Sequence, residues 1–262
     1  MNRRRFLRRS LASSAALAVA GCASEDLGPR RKIVYAGGFS LAKSVDEALW
    51  LQFEQRVDRG LADNDLRLLI RGEVGPEEQM FGSLRRGRIQ VAGGSFAGVA
   101  TLVPEIGLLS RPLLFDSEAE VDFVMDRYML DSFRELFGRI NLYLLHWTEI
   151  GWVNLYGKRP LKLPADTRGQ RVRASSSIAS QAFLREIGAD TITMPFSDVL
   201  PSLQTGLIDA GVTSVTMYAL SGIPSEAPYY LLTRHTYDMG VLIANDRWFE
   251  GLTPREHEVY AQ

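Results

Sequence analysis

The 262-residue sequence contains a single cysteine and only three histidines, and this argues against several kinds of site. With Cys22 as its one cysteine, the chain can form no intramolecular disulfide, and no zinc site built on paired cysteines is expected. The histidines, His146, His235 and His257, lie far apart and show no metal-ligand spacing. The sequence therefore predicts neither a bound metal nor a disulfide scaffold.

Motifs of nucleotide-binding and catalytic sites are also missing. There is no P-loop and no G-x-G-x-x-G dinucleotide-binding pattern. The run GGSFAG at residues 93–98 departs from the G-x-S-x-G motif of hydrolases, because Ala97 stands where the second glycine belongs. We expect no cofactor, no catalytic residue and no enzyme activity. The many acidic residues leave a pair of catalytic carboxylates in a cleft as an alternative.

Basic and acidic residues are balanced over the whole chain but not along it. The chain has 30 basic and 31 acidic residues, and residues 1–21 hold five arginines and no acid. The remainder has 25 basic against 31 acidic residues, a net charge of −6. A mildly acidic protein gives no electrostatic reason to bind nucleic acid, so none is expected among its partners.

Residues 1–21 have the organisation of an export signal. A charged segment precedes a short apolar run at residues 11–20, which is too short to span a bilayer as a helix. The segment RRRFLR resembles a twin-arginine signal, and VAGC, ending at Cys22, resembles a bacterial lipobox. We predict a periplasmic lipoprotein that is anchored to a membrane through acylated Cys22, with residues 22–31 as a polar tether. A cytoplasmic amphipathic arm and an unmodified Cys22 are the alternatives.

The rest of the chain alternates β-rich runs with helical segments, which is typical of α/β architecture with a largely parallel sheet. Strands are predicted at residues 32–36, 66–70 and 89–92. Helices are predicted at residues 45–61, from Pro76 to near Gly87, at 178–187 after serines 175–177, and from a Ser197 cap to Gly206.

A weak internal repeat divides this α/β part into two. SLRRGRI at residues 83–89, followed by Ser95, recurs as SLQTGLI at residues 202–208, followed by Ser214. Each copy is typical of a helix end, a glycine C-cap, and a strand running into a loop of small residues. We predict two α/β lobes with a ligand cleft between them. Lobe I is assigned residues 32–151 and 239–262, and lobe II residues 152–238.

The segment from Pro160 to Thr213 resembles the solute-binding proteins of tripartite ATP-independent periplasmic (TRAP) transporters, in the branch of dicarboxylate and sialic acid binders. The resemblance is carried by PADTRGQRVR at residues 164–173, MPFSDV at residues 194–199 and SLQTGLID at residues 202–209. It implies a two-lobe, periplasmic-binding-protein-like fold that captures a small organic acid for integral-membrane transporter subunits. A ligand sensor read by a receptor and a lipid-anchored hydrolase are the alternatives.

The resemblance also implies which residues contact the ligand. The arginine that pairs with the ligand carboxylate in the family falls on Arg173. A guanidinium suits this role because it binds carboxylate bidentately and keeps its charge when desolvated. Phe196 matches a family aromatic residue at the ligand, and Glu77 and Ser95 fall in lobe I segments that face the cleft. Thr213 offers a hydroxyl where the family commonly has an amide.

Departures from the family pattern bear on the ligand and on the length. A second arginine found in some members is replaced by Val153, and the aromatics Trp147, Trp152 and Tyr218 lie nearby in sequence. Trp152 is therefore included among the predicted ligand-binding residues. These changes favour an apolar or aromatic monocarboxylate over a small dicarboxylate, and the choice stays open. Family members usually continue beyond the segment at residues 252–258, so the expected tail is either missing from this sequence or absent from the protein.

Overall fold

The computed structural model describes residues 31–38, 40, 42–61 and 64–261. The predicted export signal, Cys22 and the tether up to residue 30 lie outside these residues, and residue 31 begins the first strand. Eight strands of the described part form one sheet in the order β2-β1-β3-β8-β4-β7-β5-β6. They are β1 (Arg31–Gly37), β2 (Asn64–Leu69), β3 (Val91–Ser95), β4 (Leu142–Gly157), β5 (Arg171–Ala174), β6 (Asp190–Thr193), β7 (Ala210–Ser214) and β8 (Tyr229–Asn245).

Helices connect most of these strands. They are α1 (Val45–Gly60), α2 (Glu77–Arg85), α3 (Phe96–Val99), α4 (Glu118–Val124), α5 (Leu130–Gly138), α6 (Ile178–Glu186), α7 (Val199–Gln204), α8 (Val215–Leu220), α9 (Ile223–Glu226), α10 (Asp246–Glu250) and α11 (Pro254–Ala261). A π-helical turn, Met125–Met129, joins α4 to α5, and 3-10 helices span Pro104–Ser110, Pro164–Thr167 and Phe196–Asp198. No helix among the described residues is long and apolar enough to cross a bilayer.

The two long strands β4 and β8 hold the sheet together. They run antiparallel from the pair Leu142 and Asn245 to the pair Gly157 and Tyr229, with three interruptions of register along the way. On one side β3 pairs with β8 and lies parallel to β1; on the other, β7 pairs with β4 and lies parallel to β5. Each wing of parallel strands is thus one α/β lobe, which confirms the predicted two-lobe fold. The lobe boundaries after residues 151 and 238 remain a prediction.

Each lobe has separate apolar cores on the two faces of its strands. In β1, Ile33 and Tyr35 join one core, while Ala36 joins another that also contains Met80 and Phe81 of α2. Lobe II repeats this division, with one core around β5 and Leu184 and a second around Tyr156 and α7. Strands covered on both faces carry apolar residues at nearly every position, which is why the sequence shows short apolar runs there.

The predicted repeat corresponds to two copies of one structural unit. Gly87 and Gly206 follow helices α2 and α7 with φ of 75° and 73°, in the left-handed conformation that glycine adopts easily. Each glycine is followed by a strand, β3 or β7. The expected loop of small residues is wrong, because Ser95 and Ser214 each cap a short helix by accepting from the N–H of Gly98 and Met217.

Smaller differences concern element ends. β3 spans Val91–Ser95 rather than residues 89–92, and β2 begins at Asn64 rather than residue 66. Ser197 does not cap α7: it lies in the 3-10 turn, and its hydroxyl donates to the carboxylate of Asp198 instead.

Candidate ligand-binding site

A cavity of about 960 Å³ lies where the carboxyl ends of β1, β3, β5 and β7 meet the β4–β8 pair. Both lobes contribute to its wall: lobe I through α2 and the end of β3, lobe II through the ends of β5 and β7 and the 3-10 turn at Phe196. Ligand sites of open α/β sheets form at this edge because the strand ends and the loops after them leave a crevice there. The cavity is large enough for a small organic molecule.

Arg173 is the cation at the centre of the lobe II wall. It sits on β5 between the fully buried Val172 and Ala174, and only 7% of its own surface is exposed. Its Nε donates to the carbonyl of Met194 at 3.1 Å, and its guanidinium carbon lies 5.8 Å from the ring centre of Phe196. Neither terminal nitrogen has a hydrogen-bond or ion-pair partner among the described residues. Burial lowers the pKa of Arg173 from its usual value, so a buried cation here calls for an anionic partner.

Glu77 and Ser95 meet on the lobe I wall. One carboxylate oxygen of Glu77 accepts from the Ser95 N–H at 3.1 Å and the other from the Ser95 hydroxyl at 2.5 Å. Glycines enclose this carboxylate: a Cβ on Gly98 would lie 2.6 Å from the Cβ of Glu77, and one on Gly38 would overlap its carboxylate. Burial raises the pKa of Glu77, although both bonds from Ser95 and the charge of Arg173 oppose the rise.

Asp238 is a third ionisable group of the cavity and was not predicted from the sequence. It lies on β8 between the buried Tyr237 and Met239, and it lines the cavity with Arg173 and Glu77. Burial and the charge of Glu77 raise its pKa to about 7, against the opposing effects of the Met239 N–H and Arg173. The available signal was an acid placed directly before the apolar run at residues 239–244.

The other predicted site residues are only partly brought together. Phe196 and Thr213 line the cavity, and the Thr213 carbonyl accepts from the Tyr230 hydroxyl at 3.0 Å. Trp152 does not line it. Its indole packs edge-on against Tyr237 and lies 4.6 Å from the guanidinium carbon of Arg234. Of the six predicted ligand-binding residues, five therefore share one cavity and Trp152 lies elsewhere.

A hydrogen bond from Ser176 links the two lobes beside the cavity. Ser176, in the serine run before α6, donates through its hydroxyl to the Ala97 carbonyl of α3 at 3.0 Å. Behind it, the ring of His235 stacks on Phe183 with centres 4.0 Å apart. Burial lowers the pKa of His235 to about 4, so its imidazole is neutral at physiological pH.

The cavity wall can bind a ligand through charged groups and hydrogen bonds. It offers an arginine fork, carboxylate acceptors and several hydroxyl groups, including those of residues 175–177. Within the described residues, no group of three or more His, Cys, Asp or Glu could hold a metal ion. This arrangement suits a ligand that carries a carboxylate together with hydroxyl groups.

Comparison with known proteins places the chain beside periplasmic binding proteins. The profile of the family described as bacterial extracellular solute-binding protein, family 7, matches residues 53–262. The sugar acid binding protein DctPAm from Advenella mimigardefordensis, solved in complex with galactonate, superimposes with a TM-score of 0.83 at 26% identity. That match covers 88% of this chain and 75% of the other.

A second solved structure and a curated protein are also similar to this chain. A TRAP periplasmic solute binding protein from Citrobacter koseri, solved with bound D-glucuronate, has a TM-score of 0.80 at 23% identity, over 88% of this chain and 78% of that one. The 2,3-diketo-L-gulonate-binding periplasmic protein YiaO of Escherichia coli is 28% identical over 198 residues, which are 75% of this chain. The chain spans only 60% of YiaO's length.

Proposed function

Since the chain belongs to bacterial extracellular solute-binding protein family 7, we propose that it captures a sugar acid with one carboxylate for a membrane transporter. The observation that carries the proposal is Arg173. At the wall of a ligand-sized cavity, this cation is 7% exposed, and no described residue bonds to either of its terminal nitrogens. A ligand carboxylate completes this arrangement, because two parallel N–H···O bonds satisfy both nitrogens at once.

The rest of the wall supports a hydroxylated rather than an apolar acid. Glu77 and Asp238 can accept from ligand hydroxyls, and the Thr213 side chain adds another hydrogen-bonding group. An apolar or aromatic acid would remove water from these groups without using their remaining hydrogen-bonding capacity, which disfavours its binding. The solved relatives contain galactonate and D-glucuronate. We therefore propose a sugar acid as the ligand, in place of the apolar or aromatic monocarboxylate that the sequence favoured.

The transporter and the location are part of the proposal. The relative from Citrobacter koseri is described as a TRAP periplasmic protein, and the N-terminal sequence has the features of an export signal. We accordingly assign this chain to the periplasm as a lipoprotein held by Cys22, delivering its ligand to TRAP-type membrane subunits rather than converting it.

A ligand panel tests the proposal. Isothermal titration calorimetry with galactonate, D-glucuronate and L-gulonate is compared with neutral galactose and with succinate. We expect at least one sugar acid to bind, and galactose to bind far more weakly because it lacks the carboxylate. A bound acid at 100 times its Kd should also raise the free energy of unfolding by about 2.7 kcal/mol. Equal binding of galactose and its acid, or no binding by any acid, would refute the assignment.

A further inference from the structure

The cavity holds more buried negative charge than positive charge before any ligand arrives. Arg173 is its central cation, and Glu77 and Asp238 are two partly buried acids whose charges act on it and on each other. None of the three forms an ion pair within 4.0 Å with another described residue. The remaining ionisable side chains around the cavity are Asp46, Arg56, Arg71, Glu78, His146, Glu149, His235 and Tyr260.

An anionic ligand makes this imbalance worse. A carboxylate on Arg173 neutralises the cation that helps Asp238 to ionise, and it adds a third negative charge to those of the two acids. Like charges sharing a partly buried site drive one of the carboxylates to take up a proton. The ligand cannot reduce this charge repulsion by taking up a proton near neutral pH, because a carboxylic acid with an ordinary pKa near 4 stays ionised.

We propose that Asp238 is a ligand-binding residue that receives the sugar acid in its protonated form, so that capture of the anion takes up one proton. The inference rests on the proposed function and names the group that balances the charge of the ligand. Protonated Asp238 gains an O–H donor, which can bind a ligand hydroxyl or ring oxygen.

Asp238 rather than Glu77 takes the proton because the two carboxylates are held differently. Glu77 accepts two bonds from Ser95, one from its N–H and one from its hydroxyl, and bonds of this kind stabilise the charged form. Asp238 accepts one bond, from the Met239 N–H. Its pKa of about 7 in the free protein agrees with the assignment, whereas the buried His235, with a pKa of about 4, stays neutral.

The direction of the pH dependence follows from this. The pKa of Asp238 is higher in the complex than in the free protein, so ligand affinity is greatest below about pH 7. It falls as the pH rises above that value, because deprotonated Asp238 must regain its proton on binding. For one coupled proton, the fall in affinity is at most about tenfold per pH unit.

Calorimetry of the purified protein with galactonate and D-glucuronate tests the proposal in two ways. Titrations at pH 8 in buffers of different ionisation enthalpy measure the protons taken up, and Kd is measured from pH 5.5 to 9. In the wild type we expect uptake of about one proton per ligand at pH 8. Asp238→Asn should take up none, and its affinity should be independent of pH. His146→Gln removes an exposed titratable side chain from the same cavity and should leave the uptake unchanged.

The outcomes are distinct. Binding without proton uptake in the wild type overturns the inference and leaves the proposed function intact. Uptake that survives in Asp238→Asn, or disappears in His146→Gln, also overturns it by moving the proton to another group. If no acid binds at any pH, the inference falls together with the proposed function. Asp238→Ser serves the same comparison if the asparagine variant does not fold.

Discussion

Replacement of Arg173 is the most direct test of the site. Alanine removes both terminal nitrogens, and with them two charge-assisted bonds to the ligand of about 1.5–3 kcal/mol each. Truncating one partner of a buried charge pair typically costs about 2–5 kcal/mol, which corresponds to about 30-fold to several thousand-fold in Kd. The free energy of unfolding should fall by much less than the free energy of binding. The main protein contact removed is the Nε bond to the Met194 carbonyl, worth about 1 kcal/mol.

A matched control lies two residues away on the same strand. Arg171 begins β5 and does not line the cavity. Its side chain is 45% exposed and pairs with Asp209 at 3.1 Å. Arg171→Ala removes the same charge from the protein but leaves the cavity unaltered, so its Kd should stay within about twofold of wild type. Arg173→Lys should recover only part of the affinity, because an ammonium keeps the charge without the planar fork.

The assay is calorimetry with galactonate and with its neutral amide, on variants shown by thermal melting to be folded. Wild type should prefer the acid strongly, and Arg173→Ala should distinguish little between acid and amide. That comparison separates a direct contact with the carboxylate from general damage to the cavity. An unchanged Kd for the acid in folded Arg173→Ala, or an equal loss in Arg171→Ala, would refute the reasoning.

Three further predictions use other parts of the molecule. Gly98→Ala should push the Glu77 side chain aside and weaken sugar acid binding roughly tenfold, whereas Gly107→Ala, with open space at its Cβ, should leave Kd unchanged; calorimetry measures both, and equal effects would contradict the packing argument. Ser176→Ala removes its hydrogen bond to the Ala97 carbonyl of the other lobe, worth about 1 kcal/mol, and should speed ligand release about fivefold in stopped-flow measurements; an unchanged rate would show that this bond does not hold the complex closed. Cys22→Ser should move the protein from the membrane fraction to the soluble fraction, and equal membrane retention would count against lipidation.

The parts of the fold that sequence predicted well are those specified by neighbouring residues. The glycines after α2 and α7 and the serines at the ends of β3 and β7 form local patterns, in which a few residues decide the backbone conformation. Arg173 was found because the motif around it is distinctive. It lies near the end of β5, and the contiguous segment that contains its motif places its side chain at the cavity.

The parts that sequence could not predict depend on distant partners. The pairing of β4 with β8 joins residues about 90 positions apart, and its register decides which face of each strand meets the cavity. Asp238 was missed because only this pairing brings it into one cavity with Glu77 and Arg173. The surroundings of Trp152 depend on the same pairing: its position in the sequence near Trp147 does not reveal that its indole packs against Tyr237.

The shared pair of strands sets the mechanical connection between the lobes. Among the described residues, the chain crosses from one wing of the sheet to the other only within β4 and returns only within β8. Any change in the angle between the lobes must therefore appear as torsion or flexure of this two-stranded ribbon. Its three register shifts, and Gly151 with φ of 102° and open space at its Cβ, are the compliant points. The resistance of the β4–β8 pair to bending and twisting thus limits the angle to which the two lobes can open.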